Sequence, residues 1–528
     1  MSPMWWQTGT IYQIYPRSFQ DSNGDGIGDL EGIRQRLDYL AWLGVDAIWI
    51  SPVYPSPMHD FGYDVTDYCG IDPIFGSLES FDRLIEEAHQ KQLKIILDFV
   101  PNHTSIEHPW FKASRRSRAD PKRDWYIWRD AAPDGGPPNN WISNFGGSAW
   151  AWDAGTGQYY YHAYLAEQPD LNWRNPDVRA AMHEVLRFWL RRGVDGFRVD
   201  VIWHLIKDAA FRDNPRNTDW TSNAPEIDRL LQTYSTDQPE VHEVIAGMRL
   251  VLEEFDDRVL IGEIYLPVER LVTYYGQNLM GAHLPFNFQL LNAAWTASSI
   301  SALIARYEAA LPEGGWPNWV LSNHDRPRIA GRVGPAQARV AAMLLFTLRG
   351  TPTLYYGDEL GIGNVEIAPD RIRDPWAKRE PGLRVGRDPS RTPMQWDASA
   401  FAGFSIHEPW LPLTPDYEAR NVAVMSKDKT SILCLMRSLL HYRRGHAPLS
   451  QGGWRLLSRE GDILAYERRN GDDRIVVVLN FTADPQAWSA PLSTKARIAI
   501  STYGDRRGDA VGSAMSLRAN EGLLIERA

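Results

Sequence analysis

Along the first four-fifths of the chain, short apolar runs alternate with amphipathic stretches of helical spacing. Thr10–Tyr15 is a short β-rich run. Leu30–Leu43 follows as one predicted helix, with Ile33, Leu37 and Leu40 near helical spacing and Gly44 as its stop. Ala47–Val53 is almost wholly apolar. Ser77 caps a helix with Phe81, Leu84, Ile85 and Ala88 on one face. A third strand, Lys94–Val100, ends at Pro101. Continuous apolar strands separated by amphipathic helices predict a parallel sheet covered by helices.

The rhythm breaks from Thr104 to Leu171, a stretch rich in Pro, Gly, Trp and Asn that is too long for a simple loop. It resumes at Asn175-Pro176, an N-cap followed by proline, with Val178, Met182, Val185 and Trp189 along one helical stripe and Gly193 as its stop. Four strands follow Gly196–Val201: Arg258–Tyr265, His283–Phe288, Asn318–Asp325 and Thr351–Leu360. Eight strand–helix units predict an α/β fold, a closed (β/α)8 TIM barrel. Residues 361–417 form a charged, Pro-rich excursion, and from about 448 short alternating runs such as Ile475–Leu479 predict an all-β module. The expected organisation is therefore a barrel over 1–103 and 172–447, an irregular inserted subdomain over 104–171 after the third strand, and a C-terminal β-sandwich over 448–528.

Within Gly196–Val201, residues two apart share a face, so Arg198 and Asp200 sit side by side while Phe197, Val199 and Val201 face the other way. By itself this is the pattern of a structural ion pair. Other strands also turn polar at their C-terminal ends: Asp98, Asn102 and His103; Glu263; Asn323, His324 and Asp325. That end of a barrel is where active sites form. Three carboxylates on one rim, Asp200, Glu263 and Asp325, repel one another and so imply a function.

Composition narrows the chemistry. The 528 residues are 44% hydrophobic and 23% charged, as in ordinary globular proteins. A net charge of −10 disfavours a nucleic-acid partner. Two cysteines, Cys69 and Cys434, fit a reducing compartment rather than a disulfide framework. No signal-like segment opens the chain and no apolar run reaches the ~18 residues of a membrane span, so the expectation is a cytoplasmic protein with no membrane contact. With no zinc-ligand cluster among the rim residues and no phosphate-binding glycine loop after the first strand, paired carboxylates point to glycoside hydrolysis.

The motifs Asp98-Phe-Val-Pro-Asn-His103, Gly196-Phe-Arg-Val-Asp200, Ile261-Gly-Glu263 and Asn323-His-Asp325 carry a family resemblance. In that order they resemble the α-glucosidases of the α-amylase superfamily, glycoside hydrolase family thirteen. The segments Gln13–Asp25 and Arg391-Thr-Pro-Met-Gln-Trp396 resemble its oligo-1,6-glucosidase-like branch. The resemblance implies that Asp200 is the nucleophile, Glu263 the general acid and base, and Asp325 a stabiliser of the distorted sugar. It implies retention of the α configuration, for which the two reacting carboxyls lie roughly 5–5.5 Å apart. Arg198 beside Asp200 keeps that carboxylate ionised, and the absence of a cation on the face of Glu263 lets it retain a proton. The pocket for the terminal glucose is expected to include Asp60, Tyr63, His103, Arg198, His324 and Arg387, with Arg387 paired to Asp60. Arg391 reads as structural.

Asp21, Asn23, Asp25, Ile27 and Asp29 alternate with glycines and a serine, as oxygen ligands do around a hard cation, though Gly32 stands where an EF-hand has its glutamate. An Asx-turn-rich loop has the same pattern. Relatives carry calcium or magnesium here, with the carbonyl at Ile27 as a ligand, so the resemblance implies a structural ion and no organic cofactor. The implied substrate is a small α-glucoside or oligosaccharide, taken by a monomer or homodimer. A glucosyltransferase or isomerase using the same glucosyl-enzyme, trehalose-forming or sucrose-acting, is the alternative, and a non-catalytic scaffold is a third reading. Val201, next to the nucleophile, goes with α-1,6 activity in relatives; strand packing accounts for it equally.

Overall fold

The computed structural model describes residues 3–459, 461–489 and 496–527. The first two residues of the N-terminal stretch, and parts of the predicted C-terminal module, lie outside the described residues. Eight parallel strands form the predicted barrel: β1 (Ile11–Ile14), β2 (Ala47–Ile50), β3 (Lys94–Phe99), β4 (Gly196–Val199), β5 (Val259–Gly262), β6 (Leu284–Pro285), β7 (Asn318–Val320) and β8 (Thr351–Tyr355). Most are shorter than the apolar runs suggest because the chain leaves the ladder early at their C-terminal ends, at Asp200 after β4 and Glu263 after β5 among others.

Backbone pairing runs from β7 through β8, β1, β2, β3, β4 and β5 to β6, leaving one seam between β6 and β7. The seam is bridged by a side chain. Asn318 accepts at Oδ1 from the Asn287 N–H (2.9 Å) and donates from Nδ2 to the Pro285 carbonyl (2.5 Å). Pro285 has no N–H to offer a ladder, which explains why a short β6 uses an amide side chain instead.

The predicted helix Leu30–Leu43 is two helices, Leu30–Gln35 and Leu37–Leu43, broken at Arg36. Tertiary contacts account for the break: the Arg36 guanidinium lies over the Trp396 ring at 4.1 Å and its Nε donates to Gln20 (2.7 Å). Helices over Leu78–Gln90 and Pro176–Arg191 are capped by Ser77 and Asn175, and Gly44 and Gly193 take left-handed φ after their helices. The 104–171 stretch contains a three-stranded antiparallel sheet, Trp128–Arg129, Gln158–Tyr161 and Trp150–Asp153. Beyond Gly453 a six-stranded sheet and a two-stranded sheet (Gln486–Ser489 with Ala514–Leu517) enclose a core that includes Val476, Val478, Trp488 and Leu517. Among the described residues, no helix is long and apolar enough to cross a membrane.

Candidate active site

The barrel register places Arg198 opposite Asp98 on β3 and Ile261 on β5. Asp200 and Glu263 are the first residues beyond their strands. Each keeps one ladder bond: the Asp200 N–H donates to the Phe99 carbonyl (2.8 Å), and the Glu263 N–H to Val199 (3.0 Å). The carboxyl-bearing residues are thus fixed by the sheet although they lie outside it.

Val201 departs from the expected alternation. Its φ is 38°, a left-handed conformation that a β-branched residue rarely adopts. The turn brings Val201 to the cavity wall and directs its N–H at Glu263 Oε2 (2.9 Å). It does not continue the face of Phe197 and Val199.

The charge arrangement also corrects the sequence expectation. Arg198 is wholly buried and serves three carboxylates. Its Nη1 donates to Asp98 (2.8 Å) and Asp200 (2.6 Å), and its Nη2 lies 2.8 Å from Glu263 Oε1 without the alignment of a hydrogen bond. Glu263 therefore does have a cation at its face, and the absence of one cannot be what raises its pKa. The physical reason is stoichiometric: one guanidinium faces three buried carboxylates. Burial raises the pKa of Asp98, Asp200 and Glu263, and Arg198 only partly opposes it. The three carboxyls therefore bind protons more readily than exposed ones do. Asp325 behaves differently. Burial alone would raise it, but the guanidinium groups of Arg391 (2.9 Å) and Arg387 (3.5 Å) hold it well below the usual carboxylate range.

A cavity of about 490 Å³ opens over this cluster. Asp60, Tyr63, His103, Asp200, Glu263, Asp325 and Arg387 all line it. At one wall Arg387 Nη2 donates to Asp60 (2.6 Å) and Asp374 (2.7 Å), forming the expected pair plus a carboxylate that the sequence reading missed. Arg198 and His324, expected at the sugar, do not line the cavity. Tyr15 stacks on the His324 ring (5.7 Å, 20° between planes), while Tyr63 lies alongside it in a near-parallel plane (5.4 Å between centroids, 6°), edge to edge. Burial keeps it neutral. Gln13 Nε2 donates to its Nδ1 (2.8 Å), which leaves Nε2–H to donate to the Tyr63 hydroxyl (2.7 Å), and that hydroxyl donates to Asp98 (3.1 Å). His324 thus positions Tyr63 from behind. His103 is also neutral, its pKa lowered by burial to about 4, and its Nε2 faces the Tyr63 carbonyl (3.0 Å).

Arg391, read from sequence as structural, is completely buried and reaches Asp325 directly, a contact that no local sequence pattern marks. Gln168, Tyr164, Trp203, Tyr265 and Arg326 also line the cavity and carry no sequence motif of their own.

The loop 21–29 is a ladder of Asx turns. Asp21 Oδ1 accepts from the N–H groups of Asn23 (3.0 Å) and Gly24 (2.7 Å), Asn23 from Asp25 (2.9 Å), and Asp25 from Ile27 (2.8 Å). Asp29 caps the helix that follows, accepting from the Gly32 N–H (2.7 Å). The all-oxygen donor set fits a hard cation chemically. Among the described residues, no three His, Cys, Asp or Glu side chains gather as a metal-holding group.

An eight-stranded parallel barrel with buried carboxylates around a cavity at the C-terminal ends of its strands is the architecture of a glycoside hydrolase. Residues 13–452 match the alpha-amylase catalytic domain, and the chain belongs to that family, glycoside hydrolase family thirteen. It is 42% identical over 507 residues to a probable alpha-glucosidase of Rhizobium meliloti strain 1021, covering 92% of this chain and 91% of that one. It is 38% identical over 544 residues to the human amino acid transporter heavy chain SLC3A1, covering 99% of this chain and 78% of that one. The crystal structure of XgtA, an alpha-glucosyl transfer enzyme, superposes with a TM-score of 0.94 at 40% identity, covering 100% of both chains.

Proposed function

We propose that the enzyme is a retaining, exo-acting α-glucosidase that releases terminal non-reducing glucose from short α-glucosides. The carrying observation is Asp200 and Glu263 held on one guanidinium, at a cavity whose wall is the Asp60–Arg387–Asp374 ion-pair group. Those charged oxygens and N–H groups suit the hydroxyls of one terminal sugar. Asp200 attacks the anomeric carbon as Glu263 gives its proton to the leaving oxygen. The glucosyl–Asp200 ester then breaks when water, deprotonated by Glu263, attacks from the same side, so two inversions leave the α configuration. Asp325, kept ionised by Arg391 and Arg387, stabilises the positive charge that develops on the ring. Convergence of all three carboxylates favours this reading over a non-catalytic scaffold role.

A glucosyl-enzyme can equally pass its sugar to an alcohol, and the likeness to an alpha-glucosyl transfer enzyme supports transfer as a second activity. Product analysis on a panel of α-linked disaccharides separates the two. Free glucose as the main product supports hydrolysis; new disaccharide as the main product from maltose or sucrose overturns it.

The N-terminal loop is proposed to hold a structural calcium or magnesium ion through Asp21, Asn23, Asp25, the Ile27 carbonyl and Asp29. Chelation is expected to lower the melting temperature without altering the reaction chemistry. An unchanged melting temperature in chelator, together with no bound metal by elemental analysis, removes the ion from the account.

A further inference from the structure

A second cleft, of about 370 Å³, lies where the inserted subdomain meets the barrel. Arg118, Arg123, Arg129 and Arg174 line it against one carboxylate, Asp124, in a chain whose net charge is −10. Two of the four cations are already matched: Arg118 pairs with Asp130 (3.0 Å) and Arg174 with Glu240 (2.8 Å). Among the described residues, Arg123 and Arg129 have no carboxylate within 4.0 Å. Asp124 does not pair with them; it accepts from the side-chain amides of Asn172 and Asn175, each at 3.2 Å.

Both unmatched guanidinium groups are held on aromatic faces. Arg123 lies over Trp128 at 3.5 Å, and its N–H groups are fixed by the Ser114 carbonyl (3.0 Å), Thr156 (3.1 Å) and Gln158 (2.5 Å). Arg129 is exposed, lies over Phe211 at 3.9 Å, and has one hydrogen bond, from Nη1 to the Trp128 carbonyl (2.8 Å). Its platform is rigid. Phe211 sits at a left-handed φ of 52° and packs against Trp141 (5.6 Å) and Trp150 (6.0 Å). Arg129 therefore presents uncommitted N–H edges from a fixed position, with Arg123 as a second fixed charge in the same cleft.

We propose that this cleft binds a phosphate group, free or as a small phosphomonoester, with Arg129 as the bidentate donor and Arg123 as the supporting charge. Two cations without a carboxylate in ion-pair contact match a dianion, and a planar guanidinium matches two phosphate oxygens. Occupancy would tie the insert to the barrel segment that runs on from Val201, so phosphate should raise the melting temperature.

The test is calorimetric titration of the full-length protein with inorganic phosphate at constant ionic strength, with chloride as control and a parallel arm using glycerol phosphate. Saturable binding that weakens at least about tenfold in Arg129→Ala, and less in Arg129→Lys, is the expected result. A stronger response to the ester assigns the site to phosphomonoesters, and a stronger response to the free ion assigns it to phosphate itself. Neither variant should alter glucoside turnover in phosphate-free buffer, since Arg129 does not line the main cavity. The absence of saturable binding, or equal affinity in Arg129→Ala, overturns the proposal. Inhibition competitive with substrate that survives Arg129→Ala also overturns it, because the anion would then occupy the main cavity.

Discussion

Replacing Arg387 by alanine tests the cavity wall most severely. The guanidinium is buried, donates to Asp60 and Asp374, and lies 3.5 Å from Asp325. Its loss leaves two buried carboxylates without their cation. Breaking a buried pair from one side costs about 3–5 kcal/mol, because the remaining charge is stranded. With an unfolding entropy of ~2.1 cal/mol/K per residue, a chain of 528 residues gains about 1.1 kcal/mol/K on melting, so the midpoint falls by about 3–5 °C. Loss of a charged donor at the sugar adds about 1.5–3 kcal/mol to the barrier, a ~10- to 150-fold drop in kcat/KM. Burial already pushes the pKa of Asp60 up and Arg387 is the main opposing charge, so in the variant Asp60 protonates at higher pH and the activity deficit widens as pH falls. Scanning calorimetry at a fixed rate and initial-rate kinetics across pH measure both effects. Adding Asp60→Asn to the variant removes one stranded carboxylate and should restore part of the midpoint but none of the activity. An unchanged midpoint with kcat/KM within twofold of wild type refutes the reasoning, as does a double variant no more stable than the single one.

Other consequences follow from the same geometry. Val201 lines the cavity beside Glu263, so Val201→Thr should change the ratio of α-1,6 to α-1,4 turnover on matched disaccharides; an unaltered ratio leaves Val201 as packing alone. Glu359 is wholly buried, its carboxyl pushed up by desolvation to about 7 from 4.5, with the hydroxyls of Tyr12 (2.6 Å) and Tyr39 (2.9 Å) donating to it. The folded state then holds a proton that the unfolded chain releases, so this group's contribution to stability declines as pH rises from about 4.5 through 7, by about 3 kcal/mol in all. In Glu359→Gln that slope should vanish from denaturant titrations at pH 4.5 and 7.5, and an identical slope in both proteins removes Glu359 as its source.

Much of the fold is legible because a parallel barrel writes each strand as an apolar run and ends it in polar residues. Asp98, Asp200, Glu263 and Asp325 stand out for that reason alone. What escapes is set by contacts between distant segments. Nothing local to Glu263 shows that Arg198, on the neighbouring strand, will reach it. Asp374 and Arg391 come from a Pro-rich excursion without periodicity, yet they complete the charge balance around Asp60 and Asp325. His324 has a motif position typical of a ligand-facing residue, but Tyr15 stacks on it and its nitrogens are taken by Gln13 and Tyr63. The break at Arg36 is likewise imposed by Trp396 and Gln20, about 360 residues beyond it and 16 before it in the chain.

Asp200 is proposed to carry the glucosyl group, and trapping that ester tests the mechanism most directly. In Glu263→Gln, α-glucosyl fluoride can still form that ester, since fluoride leaves without a proton, while hydrolysis stalls for lack of a base. Mass spectrometry of the intact variant should show a gain of one glucosyl residue, and peptide mapping should locate it on Asp200. An adduct on another residue, or undiminished turnover by Asp200→Asn, would contradict the mechanism.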